Sequence, residues 1–349
     1  MELYRSLKEK RSGSITLVVL IITAFCTLIL ELFLESVLDN AKYRQQMLCP
    51  ADLKAEAYSA LDLALSFLEE YKKNQSVEKI GDNSIVRKGD NKLIFDEDIL
   101  GKIPDNTLIS NYIAKKIALK LSTAALPSGF PKVEGIPGTN QLKHGDFTVQ
   151  YEFEDLSAKV PLCETFDDAT KPSSASNGLV ITVLDNLTQM NATSKTNIKN
   201  FIITQKNIAT KWSTIEHVAK SNVANNNIDI EPLKKLFTIE PYIINAITKG
   251  KNFKINLLTT PKKILDAISA KNGNLSISTS RKARDYARLI GPRGALEPYC
   301  CTEVQFFALK VRVSTGTGNS YAIRCVCDAM SNKTRNQRLP FNIIKIEEF

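Results

Sequence analysis

From Ser14 to Leu30 the chain reads SITLVVLIITAFCTLIL, without one charged residue. As a helix these residues span about 25 Å, close to the ~30 Å hydrocarbon core of a bilayer. Only four basic and two acidic residues stand before the run, so it is expected to cross a membrane rather than to fill a core. A cleaved secretory signal fits poorly. Such signals carry about 7–15 apolar residues and then a small-residue cleavage site, whereas here apolar character continues through Glu31, Leu32, Phe33, Leu34 and Glu35. Arg5, Lys8, Lys10 and Arg11 crowd the near side of the segment, which places the N-terminus in the cytoplasm and everything after about residue 38 outside. A single glycine, Gly13, separates these basic residues from the apolar run.

At 349 residues the chain has room for two compact domains with a sizeable core. The formal net charge is +9, of which the residues before Ser14 hold +2, leaving +7 for the rest. Lys54, Lys72, Lys115, Lys206, Lys234 and Lys282 are dispersed and no arginine-rich block occurs, the pattern of a solvated surface rather than of a nucleic-acid footprint. Cys26 lies inside the apolar run; Cys49, Cys163, Cys300, Cys301, Cys325 and Cys327 lie beyond it and are disulfide candidates in an oxidising compartment. Cys325 and Cys327 are two apart on an expected strand, so they share a face and do not pair easily with each other. The YCC and RCVCD segments could instead pair across a sheet, with about fifteen connectivities open to six cysteines. Neither pair has the two-residue gap of a zinc knuckle, and no metal or other cofactor is expected.

Past the apolar run, Leu53, Ala57, Ala60, Leu61, Ala64, Leu65 and Leu68 recur at helical spacing. They predict an amphipathic helix, kinked or split at Pro50, whose stripe rests on a sheet. The segment GDFTVQYEFEDLSAKVPLC alternates, with Phe147, Val149, Tyr151 and Phe153 on one face and Glu152, Glu154 and Asp155 read as solvated residues turned away from it. NSIVRKGDNKLIF reads as two short apolar runs around a turn at residues 88–91, and DNTLISNYIAKKIALKLSTAAL as a helix opening at Asp105. From about Asp167 to Glu297 the pattern predicts short helices over 178–190, 197–209, 213–221, 231–239, 261–270 and 280–290. Alternation returns in VQFFALKVRVSTGTGNSYAIRCVCDAM, where Gly316, Gly318 and Asn319 suit a hairpin turn, and FNIIKIEEF reads as a last strand. The order predicts an α+β domain interrupted by an all-α insertion.

The leader KRSG followed by SITLVVL resembles that of pilins and pseudopilins. This resemblance implies that a prepilin peptidase cuts between Gly13 and Ser14, making Ser14 the first mature residue. With YEFEDLSAKVPLC, the strand-helix unit FKINLLTTPKKILDAI and the closing hairpin, nearly the whole chain resembles the K-type minor pseudopilin of bacterial type II secretion systems. Ile255, Asn256, Thr259, Thr260 and Pro261 approximate that family's Ile-Asn-x-x-Thr-Ala-Pro run opening a helix.

The resemblance implies a pilin-like fold: a leader over 1–13, a membrane-spanning and amphipathic helix over 14–75, and a first α+β part over 76–166. A helical insertion of SAM-like or helix-hairpin-helix-like form over 167–297 and a second sheet part over 298–349 complete it. It further implies a single-pass inner-membrane protein, mostly periplasmic, that caps the pseudopilus tip and starts its assembly for export of folded proteins across the outer membrane. Its partners would be other minor pseudopilins and the major pseudopilin, with the peptidase as processing enzyme. Val18 stands where packed pilins carry a glutamate that neutralises a neighbour's N-terminus inside the membrane. Its lack of charge fits a subunit with nothing above it. In such a tip complex Leu53, Ala57, Leu61, Leu65 and Leu68 would pack against the helices of smaller minor pseudopilins. The one tryptophan, Trp212, has no aspartates near it, so no calcium ligands are carried over.

Three rival classes are weaker. A membrane-anchored DNA-binding protein of the competence type needs a Gly-hydrophobic-Gly hairpin after the first helix, but SAKNGNLSIS supplies only Gly273, and no nucleic-acid partner is expected. A minor pilin of a related type IV pilus would share the anchor and the sheet. An enzyme lacks support: His144 and His217 lie in different regions, with no nucleophile elbow, phosphate loop or metal-ligand cluster.

Overall fold

The computed structural model describes residues 51–73, 92–95, 97–100, 106–124, 132–162, 179–186, 231–238, 240, 253–277, 283–291, 294–297, 300–330 and 341–349, with parts of 22–37 and 192–196. It forms two compact units, Met1–Ala55 and Glu56–Phe349. In the first unit the described residues between 22 and 37 are helical and all exposed, including Ile22, Ile29, Leu30, Phe33, Leu34 and Val37 at 46–66%. Thr27 returns its hydroxyl to the Thr23 carbonyl at 2.8 Å, which satisfies it without water. Among the described residues no helix is long and apolar enough to cross a membrane; most of the 14–30 run lies outside them.

The second unit is built on a six-stranded antiparallel sheet. Its order is β1 (Val133–Gly135), β2 (Gln141–His144), β3 (Phe147–Asp155), β8 (Phe306–Thr315), β9 (Ser320–Asp328) and β10 (Asn342–Glu348). Tyr151 sits opposite Val311 and Val311 opposite Ile323; Phe153, Leu309 and Cys325 align in the same way, as do Asp155, Phe307 and Cys327. Side chains alternate along a strand, so the odd-numbered residues of the three central strands share one face. The expected face of Phe147, Val149, Tyr151 and Phe153 is this one. The β8–β9 hairpin turns at Gly316–Asn319, where Gly318 takes φ +90°, a conformation costly for any residue with a Cβ.

Two helices cover that face. Helix α1 (51–73) begins among the described residues directly after Pro50, and its Ala57, Ala60, Leu61, Ala64, Leu65 and Leu68 are buried. The Tyr151 hydroxyl reaches the Ala60 carbonyl at 3.5 Å, and Lys72 donates to the Ala329 carbonyl at 2.6 Å beyond the end of β9. Helix α2 (Asn106–Thr123), opening one residue past the expected Asp105, buries two adjacent columns, Ile109-Ile113-Ile117 and Ser110-Ala114-Ala118. It lies over β1, β2 and β3. Strand β2 pairs with β3 only over Phe147–Gln150, leaving the far end of β3 without a strand on that side; there the Phe153 amide donates to Ser110 Oγ at 2.8 Å. Between helices and sheet runs a line of rings: Tyr71 stacks on Phe95, Phe95 meets Phe153 edge-on, Phe153 stacks on Phe307, and Phe307 meets Phe341 edge-on, at 5.1–5.4 Å between centroids.

The insertion leaves after β4 (Val160–Pro161) and returns before β7 (Cys300–Cys301). Helices α3 (Leu179–Asp185), α4 (Glu231–Leu236) and α5 (Lys262–Lys271), with the turns of Ala283–Ile290, stand where helices are expected, each shorter than the pattern suggests except α5. The helices expected over 197–209 and 213–221, and the turn at 88–91, lie outside the described residues. An all-α insertion needs correction. The helix expected to reach Ile239 ends at Leu236, and β5 (Phe237–Thr238) pairs in parallel with β4; likewise β6 (Ile255–Asn256) pairs in parallel with β7. Backbone groups at the stems are buried and must be paired, so each stem takes a short ladder in place of another helical turn.

Leu65 is fully buried on α1 while Leu63 is 41% exposed. Leu65→Ala is therefore expected to cost about 2–5 kcal/mol and Leu63→Ala under ~0.5 kcal/mol, read as urea midpoints of the detergent-solubilised chain. Equal losses would show that the stripe is not the buried face.

Candidate functional site

Gly13, Ser14, Val18, Cys49, Cys163, Trp212 and His217 lie outside the described residues. Of the residues expected to meet partner helices, Leu53 lies in the first unit, and Ala57, Leu61, Leu65 and Leu68 of the second are at most 2% exposed. A side chain already buried has no area left to offer another helix. His144 holds Glu56 at 2.7 Å, tying β2 to α1 rather than facing a reactive centre. Cys300, Cys301, Cys325 and Cys327 are buried free thiols. The YCC and RCVCD segments do not face each other across one sheet: β7 belongs to the β6 ladder and β9 to the central sheet. Cys301 Sγ lies 3.3 Å from the Glu303 carbonyl, and burial pushes the Cys300 thiol up to about 12. Among the described residues no group of three His, Cys, Asp or Glu is placed to hold a metal.

What the chain does bring together is a polar junction between sheet and insertion. Asp155 ends β3 on the odd-numbered face and is completely buried, not solvated. Its Oδ1 accepts from the Ser157 amide at 2.8 Å; its Oδ2 accepts from Asn256 Nδ2 at 2.7 Å and from the Thr259 hydroxyl at 2.5 Å. Asn256 Oδ1 in turn accepts from the Leu258 amide at 3.1 Å, and Thr260 donates to the Asn256 carbonyl at 2.5 Å. Of the residues singled out by the family resemblance, Asn256 and Thr259 thus bind the carboxylate of Asp155, while Thr260 bonds backbone carbonyls. Ser157 completes the junction from the opposite side: its Oγ accepts from the Gln305 and Phe306 amides, both at 2.8 Å, at the start of β8. Period-two counting from Phe153 puts Asp155 on the buried face, a signal that the cluster of acidic residues around it obscured.

A second junction occupies the even-numbered face. Arg324 of β9 reaches Glu240 of the insertion at 2.7 Å, Glu347 of β10 at 3.0 Å and Glu154 of β3 at 3.7 Å. Lys159 binds Glu154 and donates to the Lys234 carbonyl of α4 at 2.5 Å. Burial alone would push the Glu154 carboxyl up; Lys159 and Arg324 outweigh it and hold the group below the usual carboxylate range. The arrangement fastens one part of the chain to another. It presents no nucleophile, base and electrophile in mutual reach.

No family model matches the chain, and no curated protein matches it. Among solved structures the chain is similar to one in the GspK-GspI-GspJ complex from the enterotoxigenic Escherichia coli type 2 secretion system. The two are 12% identical over 88% of this chain and 99% of that one, with a TM-score of 0.46.

Burial pushes the Asp155 carboxyl up to about 6, against the pull of the bonds from Thr259, Asn256 and Ser157. A carboxyl raised above its unfolded value of about 3.9 stabilises the fold fully below that pH and loses its contribution as pH rises through about 6. Glu154 and Glu347, both lowered, act at more acidic pH and in the opposite sense. The unfolding free energy of the native chain, measured relative to Asp155→Asn, is expected to fall by about 2–3 kcal/mol between pH 4 and 6.5. A flat difference across that window would show that Asp155 titrates as it does in water.

Proposed function

We propose that this chain is a minor pseudopilin of a type II secretion system that caps the pseudopilus tip and initiates its assembly. The observation that carries the reading is a combination within one chain. A helical N-terminal segment leaves six large apolar residues uncovered, and the remaining body is a helix laid on an antiparallel sheet with a helical block inserted into it. Uncovered apolar helix asks for lipid, the run 14–30 supplies the length to span it, and the basic leader ending at Gly13 supplies the processing site. The protein acts by assembly rather than catalysis.

A subunit within a filament has others stacked above it, and a block the size of 167–297 beside the sheet would collide with them. At the tip there is room, and uncharged Val18 has no neighbour's N-terminus to neutralise. Because the α1 stripe is covered by the chain's own sheet, partner helices would meet α1 on its outer side, around Leu63. Mass spectrometry of the membrane-extracted protein is expected to find Ser14 as N-terminus. Cross-linking is expected to find the subunit at one fibre end. Recovery of intact residues 1–13 in cells holding the peptidase would sink the processing step; regular spacing along the fibre would sink the tip role.

A further inference from the structure

Strand β9 carries two thiols that no junction uses. Cys325 and Cys327 stand two residues apart on the helix-covered face, their Sγ atoms 3.5 Å apart and both fully buried. Two antiparallel strand rises separate their Cα atoms by about 6.8 Å, at the upper limit of the roughly 4.4–6.8 Å that disulfides span. The ladder around them is uneven. On the β8 side Leu309, Ala308 and Phe307 register with Cys325, Val326 and Cys327 without a break. On the β10 side the register slips between Ile343 and Lys345, which face Cys327 and Val326. The extra residue is Ile344 of β10; a bulge bends the strand that carries it and raises the local twist, and this one lies opposite the Val326–Cys327 step of β9.

We propose that Cys325 and Cys327 form a modification site, an intrastrand disulfide closing around Val326. This revises the expectation that the two do not pair easily, and it stands whether or not the chain is a pseudopilin. The oxidant is a small-molecule or protein disulfide. One Cys thiolate attacks a sulfur of that disulfide and releases one thiol; the second Cys thiolate attacks the mixed disulfide and releases the other. Two protons and two electrons pass from the cysteines to the oxidant, and one sulfur–sulfur bond forms as one breaks. Both thiols are enclosed once the helices cover the sheet, and the contact with Cys325, reinforced by burial, holds the Cys327 thiol far above its ordinary range. The bridge therefore forms before the sheet is covered, and the folded dithiol is inert. Near the upper limit of span, the bridge is a strained and reducible one.

The test uses the full chain, unfolded and reduced, then refolded in detergent with oxidised glutathione in excess, quenched in acid, alkylated after denaturation and digested with trypsin. Cleavage after Arg324 and Lys333 releases CVCDAMSNK, which contains these two cysteines and no other. The expected product is this peptide short of two hydrogen atoms and without alkyl label, from protein whose thermal unfolding is cooperative. Two alkyl groups on the peptide, or its recovery bonded to a peptide bearing Cys49, Cys163, Cys300 or Cys301, would overturn the assignment.

Discussion

Everything in the body of this protein depends on β3 finding β8. Nine registered pairs join Phe147–Asp155 to Phe307–Thr315, across the whole length of the insertion. Closing a loop of ~150 residues costs about 4–5 kcal/mol in chain entropy beyond a constant. Burial of Tyr151, Phe153, Phe307, Leu309 and Val311 on the paired face returns about 1.5–3 kcal/mol each, all of them at most 2% exposed. The pairing wins because its odd-numbered face is apolar on both strands at once. Ser157 then fixes the point of closure, its hydroxyl oxygen accepting from both amides that open β8.

Apolar burial alone would leave the insertion free to slide on the sheet. Its position is set instead by groups that tolerate one arrangement. Asp155 has acceptor sites that Ser157, Asn256 and Thr259 fill, and displacing any of these donors would strand a buried carboxylate at a cost of about 1–3 kcal/mol or more. On the opposite face Arg324 converges on three carboxylates from three separate segments, a geometry its planar fork suits and a lysine would not reproduce. One junction is enclosed and the other is partly wet. Together they hold both stems of the insertion to the same sheet, one at β6 and one at β5.

The helix stripe, the apolar face of β3 and the β8–β9 turn were legible because each shows a period or a turn residue within a short window. Their partners were not. Leu61 and Leu65 repeat as an interface would, and nothing local distinguishes a stripe covered by the chain's own sheet from one awaiting another subunit. Asp155 escapes a local reading because two half-buried glutamates of the opposite face precede it, although the alternation itself places it inward. The parallel pairs at β4–β5 and β6–β7 are two residues long each and join segments far apart in sequence, too short for any pattern to announce. Cys325 and Cys327 were correctly put on one face; the bulge opposite the Val326–Cys327 step belongs to another strand.

Coverage of the α1 stripe from within changes what assembly has to supply. A body whose helix, sheet and insertion stems are already closed does not need a partner to complete its core. Any partner would therefore meet a preformed surface, on which exposed apolar positions such as Leu63 and Leu119 are scattered among the described residues. Single exposed apolar residues of that kind are ordinary on soluble domains. The described residues between 22 and 37 differ, with six large apolar side chains at 46% exposure or more in a short stretch of helix. At about 25 cal/mol per Å² such a surface is costly in water. Among the described residues, uncovered apolar surface thus concentrates in the N-terminal segment, while the apolar stripe of the folded body is covered from within.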